Sequence, residues 1–139
     1  MRKLLLTIIM TGCGLATMAQ KSERPFYAYL YNNEYKVCMQ INFYENDIII
    51  SGQDMLGPLP GYLGHDRTSF HWPIVSACIS GNKATMQMVN DYGSEDLEAQ
   101  LTCEDDSTYV LKQLKGSSIK MPENGKWQKL PRTIMLKRR

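Results

Sequence analysis

Between residues 35 and 43 the chain alternates. Tyr35, Val37, Met39, Ile41 and Phe43 are apolar, and Lys36, Cys38, Gln40 and Asn42 stand between them. A period of two over such a stretch predicts a strand with one buried face. Glu45-Asn46 reads as a turn, and residues 47–51 as the next strand, so these two strands form the clearest predicted hairpin. Residues 72–79 predict another strand, closed by the turn chemistry of Ser80-Gly81-Asn82. Ala84, Met86 and Met88 alternate with Thr85, Gln87 and Val89, and Leu97, Ala99 and Leu101 with Glu98, Gln100 and Thr102. Residues 107–114 follow the acidic turn Glu104-Asp105-Asp106. Residues 26–31, 119–121 and 133–137 complete the set. No helix-length stretch after the first 19 residues carries a 3.6-residue apolar period.

Short strands joined by short turns predict an all-β fold, an antiparallel meander of about eight strands. Closing it into a small closed or partly open barrel removes exposed edges, and a two-sheet β-sandwich is the alternative. The inward set includes Met39, Met86 and Met88 beside the small Ala84 and Ala99, which predicts an interior filled by its own side chains. Residues 53–69 break the rhythm with three glycines and two prolines, yet keep Met55, Leu56, Leu59, Tyr62 and Leu63. Such a segment reads either as a long functional connection or as a short edge strand around Tyr62-Leu63 with loops on both sides.

Before the strands comes a different pattern. Arg2-Lys3, an apolar run from Leu4 to Met10, and small residues up to Met18-Ala19 have the layout of a secretory signal peptide over residues 1–19. This leaves a single β domain at 20–139 and implies an exported protein, periplasmic or extracellular, with no transmembrane span after cleavage. Met10-Thr11-Gly12-Cys13 offers an alternative, a lipid anchor through Cys13. Residues 20–24 read as unstructured.

Arg2 and Lys3 account for the whole formal charge of +2, so residues 20–139 are formally neutral. That argues against nucleic acid, whose binders present basic surfaces. The basic tail Lys137-Arg138-Arg139 reads as solvated. Three cysteines remain after the leader. Cys103 is in phase with Leu101, Cys78 with Trp72 and Ile74, and Cys38 with Lys36 and Gln40. The phases put Cys38 outward and make Cys78–Cys103 the pair best placed for a disulfide.

Candidate chemistry is sparse. His65, Asp66, Arg67 and His71 form the one crowding of titratable groups near the Gly/Pro segment. A small hydrolase would use His65 and His71, although neighbours such as His65 and Asp66 point to opposite faces of a strand. A two-histidine metal site lacks a third ligand. Residues 91–96 are oxygen-rich without the spacing of an EF-hand. No catalytic residue, metal or cofactor is assigned. The aromatic and basic residues around the Gly/Pro segment give the candidate ligand contacts: Tyr62, His65, Arg67 and Trp72.

In size, strand rhythm and leader, the chain resembles small exported barrels of Gram-negative bacteria, the lipocalin-like proteins and the periplasmic lysozyme inhibitors. More broadly, with Met18-Ala19-Gln20 at the end of its leader, it is similar to small exported β-sheet families of gut-type bacteria. The lipocalin letters Gly-x-Trp occur as Gly125-Lys126-Trp127, far from the first strand, and the lysozyme-inhibitor loop motif is absent. The resemblance implies a barrel and export, and no particular activity. The reading is therefore a non-enzymatic binding module for a protein, a glycan or a small apolar ligand, with a structural role through an open sheet edge as a further alternative.

Overall fold

Ten strands follow one another in the computed structural model, which describes residues 23–139. The leader, its cleavage site and Cys13 lie outside the described residues. The strands are β1 (Tyr27–Asn32), β2 (Val37–Asn42), β3 (Gly61–His65), β4 (His71–Ser80), β5 (Lys83–Val89), β6 (Asp96–Cys103), β7 (Thr108–Gly116), β8 (Lys120–Glu123), β9 (Lys126–Lys129) and β10 (Thr133–Arg138). Eight of them close into an antiparallel barrel in the order β1-β10-β7-β6-β5-β4-β3-β2, and β8 pairs with β9 as a separate two-stranded ribbon. The fold is the all-β barrel that the alternation predicts.

Inward positions repeat at period two and fill the interior. Met39, Ile41, Leu63, Ile74, Met86, Met88, Ala99 and Leu101 have no exposed surface. Across β5 and β6, Met86 faces Ala99 and Ala84 faces Leu101, so long and short side chains interdigitate. Because neighbouring strands are antiparallel, the β1–β2, β3–β4, β5–β6 and β7–β10 connections share one end of the barrel. The ribbon belongs to the last of these connections and caps that end. Its Ile119 and Met121, together with Leu130, are buried in the core, and the Trp72 indole N–H donates to the Lys120 carbonyl (3.0 Å).

Several expectations need correction. Residues 47–51 make no strand, only the bridge Ile48–Leu59. Both flanks of β2 are already taken, by β1 and by β3. The hairpin partner of β2 is β1, joined through a turn in which Asn32 Oδ1 accepts the Tyr35 N–H (2.8 Å). The Gly/Pro segment is not one long connection, and β3 is not an edge strand, since it pairs on both sides. Gly61 permits this: a Cβ there would fall 2.9 Å from both Cα and Cγ2 of Ile41 on β2.

The register of β4 shifts between Ile74 and Ser76. Trp72 and Ile74 point inward, but beyond the bulge Ala77 faces Met86 and packs on the core, which turns Cys78 outward opposite Thr85. Cys78 is exposed, whereas Cys103 is half-buried against the core, so the expected Cys78–Cys103 bridge is ruled out by opposite faces. All three described cysteines are free thiols. Cys38 does face outward, between Tyr31 and Gly64.

Both ends of the described residues are also tied down. Arg24 pairs with Glu45 (3.0 Å). The tail is structural: Arg138 donates to the Tyr109 hydroxyl (2.6 Å) and the Asp106 carbonyl (2.9 Å), and the Arg139 N–H donates to the Tyr29 carbonyl (2.9 Å). Strands β1 and β10 thus meet in a short seam, Leu30 opposite Arg138 and Tyr31 opposite Lys137.

Candidate functional site

The ribbon forms because Asn124-Gly125 is the dipeptide that a tight hairpin turn needs. Both residues have positive φ, 53° and 78°. On its strands Lys120 lies opposite Lys129, and Pro122 opposite Trp127. These four share one face, whereas Met121 and Glu123 share the other, which is turned to the barrel. The β5–β6 turn is built by Asn90. Its Oδ1 accepts the Ser94 N–H (3.0 Å), its Nδ2 donates to Ser94 Oγ (3.1 Å), and Gly93 takes φ +70°. That turn holds Tyr92 out at 71% exposure.

Trp127 and Tyr92 meet over Phe70. The Phe70 ring is edge-on to Tyr92 at 5.4 Å and to Trp127 at 5.1 Å, and the two outer rings are 6.3 Å apart. Phe70 is buried, whereas Trp127 is 52% exposed. Beside these rings opens a cleft of about 280 Å³, with Trp72 at its base and Asn90, Ser94, Glu95 and Lys120 around it. Lys120 Nζ and Glu95 Oε1 lie 3.9 Å apart, both partly exposed. The cleft therefore offers two aromatic walls, the Ser94 hydroxyl and one charge of each sign, while the Asn90 amide is spent within its turn.

The four sequence-predicted contacts do not form one surface. Trp72 is 1% exposed, inward, and spent on the Lys120 carbonyl, so it is a core residue that only floors the cleft. Tyr62 lies on the outer face of β3, half-buried, donating to Gln40 Oε1 (3.0 Å) with its ring edge-on to His71. Burial, and secondarily Cys38, raises its hydroxyl pKa. His65 is buried on the inner face. Its Nδ1 accepts the Arg67 N–H (3.1 Å), which places the ring proton on Nε2. Nε2 approaches Glu123 Oε2 to 2.6 Å without the alignment of a hydrogen bond. Arg67 is exposed and reaches the same carboxylate at 3.3 Å. His65 and Arg67 thus fasten the ribbon tip to the barrel.

His65 and His71 do not share a cleft. Leu63 and Trp72 are cross-strand partners that both point inward, so His65 is inside and His71 outside. His71 has its own carboxylate: Asp91 Oδ2 accepts the His71 backbone N–H (2.7 Å) and lies 3.8 Å from Nδ1. Asp66 instead accepts from Tyr31 (2.7 Å). Among the described residues, no group of three His, Cys, Asp or Glu side chains is placed to hold a metal ion.

Phe70, Tyr92 and Lys120 were not singled out as contacts from the sequence, because the cleft joins segments far apart in the chain. One signal was present, the Asn-Gly turn ahead of Trp127, which marks a hairpin exposing that ring. No known protein family matches the chain, and no match appears among curated proteins or solved structures.

Proposed function

We propose that this protein is an exported, non-enzymatic binding module whose cleft between Tyr92, Trp127 and Lys120 holds a sugar unit of a glycan. One observation carries the reading: two exposed aromatic rings stand at the rim of a cleft that also holds a hydroxyl and an opposed charge pair. A pyranose has an apolar C–H face, which stacks on an aromatic ring, and a rim of hydroxyls, which need donors and acceptors. Ser94, Glu95 and Lys120 supply both kinds. The ring positions are preset by Phe70 and the Asn90 turn, so little ordering is lost on binding. Export is supported by the leader pattern of residues 1–19. The non-enzymatic reading is supported by the separation of the two histidines onto opposite faces of the sheet.

A glycan array probed with the purified protein, followed by titration calorimetry on the hits, tests this. Trp127→Ala and Tyr92→Ala are each expected to weaken binding tenfold or more, about 1.4 kcal/mol. Tyr62→Phe, outside the cleft, is expected to leave it unchanged. Glycan binding that survives both ring removals defeats the proposal.

A further inference from the structure

A second cleft lies at the foot of the ribbon. It measures about 450 Å³ and runs between residues 113–118 and 129–132. Every ionisable residue along it is a cation: Lys115, Lys129 and Arg132. Ser117 and Ser118 add hydroxyls. The nearest carboxylate partner in contact with these cations is Glu98, 3.8 Å from the highly exposed Lys115 Nζ. In a domain whose residues 20–139 are formally neutral, such a one-sign cleft is a local departure.

The cleft is also rigid. Gln113 clamps its two walls: its backbone N–H donates to Arg132 O (2.9 Å), its Nε2 to Pro131 O (3.0 Å), and its Oε1 accepts the Ile119 N–H (2.8 Å). Arg132 Nη2 donates to Leu114 O (2.8 Å), which fixes the guanidinium while leaving further donors on a group that carries five N–H. Preset donors of one sign favour an anion, because no reorganisation is needed when it arrives.

Both clefts are lined from one face of the ribbon, the first by Lys120 and Trp127 and the second by Lys129. Lys129 is two residues from Trp127 on the same face, about 7 Å at roughly 3.4 Å per residue, and Lys120 stands directly across from it. A chain stacked on Trp127 and following this face comes to Lys129, which lines the second cleft together with Arg132. We propose that the basic cleft is an anion subsite, and that the ligand is a glycan bearing sulfate, phosphate or carboxylate groups. This rests on the sugar-stacking reading of the neighbouring cleft. An aromatic platform beside cations also suits single-stranded nucleic acid. Nucleic-acid binders present extended basic surfaces, whereas three cations in one cleft of a formally neutral domain match a sugar bearing isolated anionic groups.

The test is calorimetry on the full protein with a neutral oligosaccharide, its sulfated form, inorganic sulfate and a single-stranded DNA oligomer. The sulfated sugar is expected to bind at least tenfold tighter than the neutral one. That advantage should shrink as salt shortens the screening length from about 10 Å at 0.1 M. Lys129→Glu, which breaks no internal hydrogen bond of the fold, should abolish the advantage and spare neutral-sugar binding. Lys129→Ala with Arg132→Ala should do the same, with far-ultraviolet circular dichroism checking the fold. Equal affinity for neutral and sulfated sugar, an advantage that survives Lys129→Glu, sulfate alone binding as well as the sulfated sugar, or tighter binding of DNA overturns the proposal. The two readings fail separately. Sulfated-sugar binding that survives Trp127→Ala but not Lys129→Glu keeps the anion subsite and removes the stacking site. Loss of neutral and sulfated binding alike in Trp127→Ala, with no preference between them in the wild type, does the reverse.

Discussion

Trp72→Phe separates two roles for one residue. As a surface contact, which the sequence suggests, Trp72 would cost binding and little stability when replaced. In the structure it is 1% exposed, and its indole N–H ties β4 to the ribbon through the Lys120 carbonyl at 3.0 Å. Phenylalanine keeps one ring and removes the rest of the indole. Losing the equivalent of about two buried carbons costs roughly 1.5–2 kcal/mol, at ~0.8 kcal/mol each. Losing the hydrogen bond costs about 1 kcal/mol more. The sum, about 2–3 kcal/mol, lowers Tm by roughly 8–15 °C for a domain of this size. Thermal unfolding followed by circular dichroism gives the shift, and hydrogen exchange shows whether protection is lost first in residues 117–130, where the tether ends. A Tm within about 2 °C of wild type would refute the assignment of Trp72 to the core.

Two further outcomes follow from local geometry. Gly61→Ala drives a methyl onto the backbone of β2, 2.9 Å from Ile41 Cα, and is expected to cost about 1–3 kcal/mol in urea unfolding; Gly64→Ala meets side chains alone, the His71 ring at 3.3 Å and Cys38 and Tyr62 at 3.7 Å, and should cost under about 1 kcal/mol, so equal costs would contradict the β2–β3 packing. Burial, above all, pushes the Tyr109 hydroxyl up to about 12, with Cys103 raising it further and Arg138 opposing; a group raised above its unfolded value near 10 contributes stability that is complete below pH 10 and is lost between pH 10 and about 12. Urea midpoints across that window should fall less steeply in Tyr109→Phe, and tyrosinate absorbance showing all tyrosines ionising near pH 10 would count against it.

The barrel was legible where one face is clean. Ala84, Met86 and Met88, and Leu97, Ala99 and Leu101, fall inward as their alternation says, because polar residues occupy every intervening outward position but Val89. It was not legible in β4, where Ile74, Val75, Ala77, Cys78 and Ile79 make both faces apolar. A bulge at Val75 then carries no sequence mark, and the phase beyond it reads wrongly, which is how Cys78 came to be placed inside. Strand β3 was legible only as a short edge strand around Tyr62-Leu63, because Gly61 and Gly64 remove the side chains from which a longer period would be read; both let backbone or ring pass close, which is what allows pairing on both sides. The candidate site was the least legible part. Phe70, Tyr92 and Trp127 come from three connections at one end of the barrel, and only closure brings them within 5.1–6.3 Å of one another. Tyr62, His65, Arg67 and Trp72 are close in sequence, but the strand pleat and the bend after His65 send them to an outer face, an inner face, a rim and the core.

The seam between β1 and β10 has a consequence for how the chain acquires its shape. Strand β1 is hydrogen-bonded to β10, and beyond β10 the Arg139 N–H still donates to the Tyr29 carbonyl. Until β10 has emerged, β1 and β7 each lack a partner along one side, and Ile134 and Leu136 are missing from the core. Local hairpins form early, but the closing contact spans nearly the whole sequence, the kind of loop that is slow to close. A growing chain therefore stays open until residues 133–139 have been made. Release of that one strand supplies both missing pairings at once, so the barrel closes as a single cooperative unit.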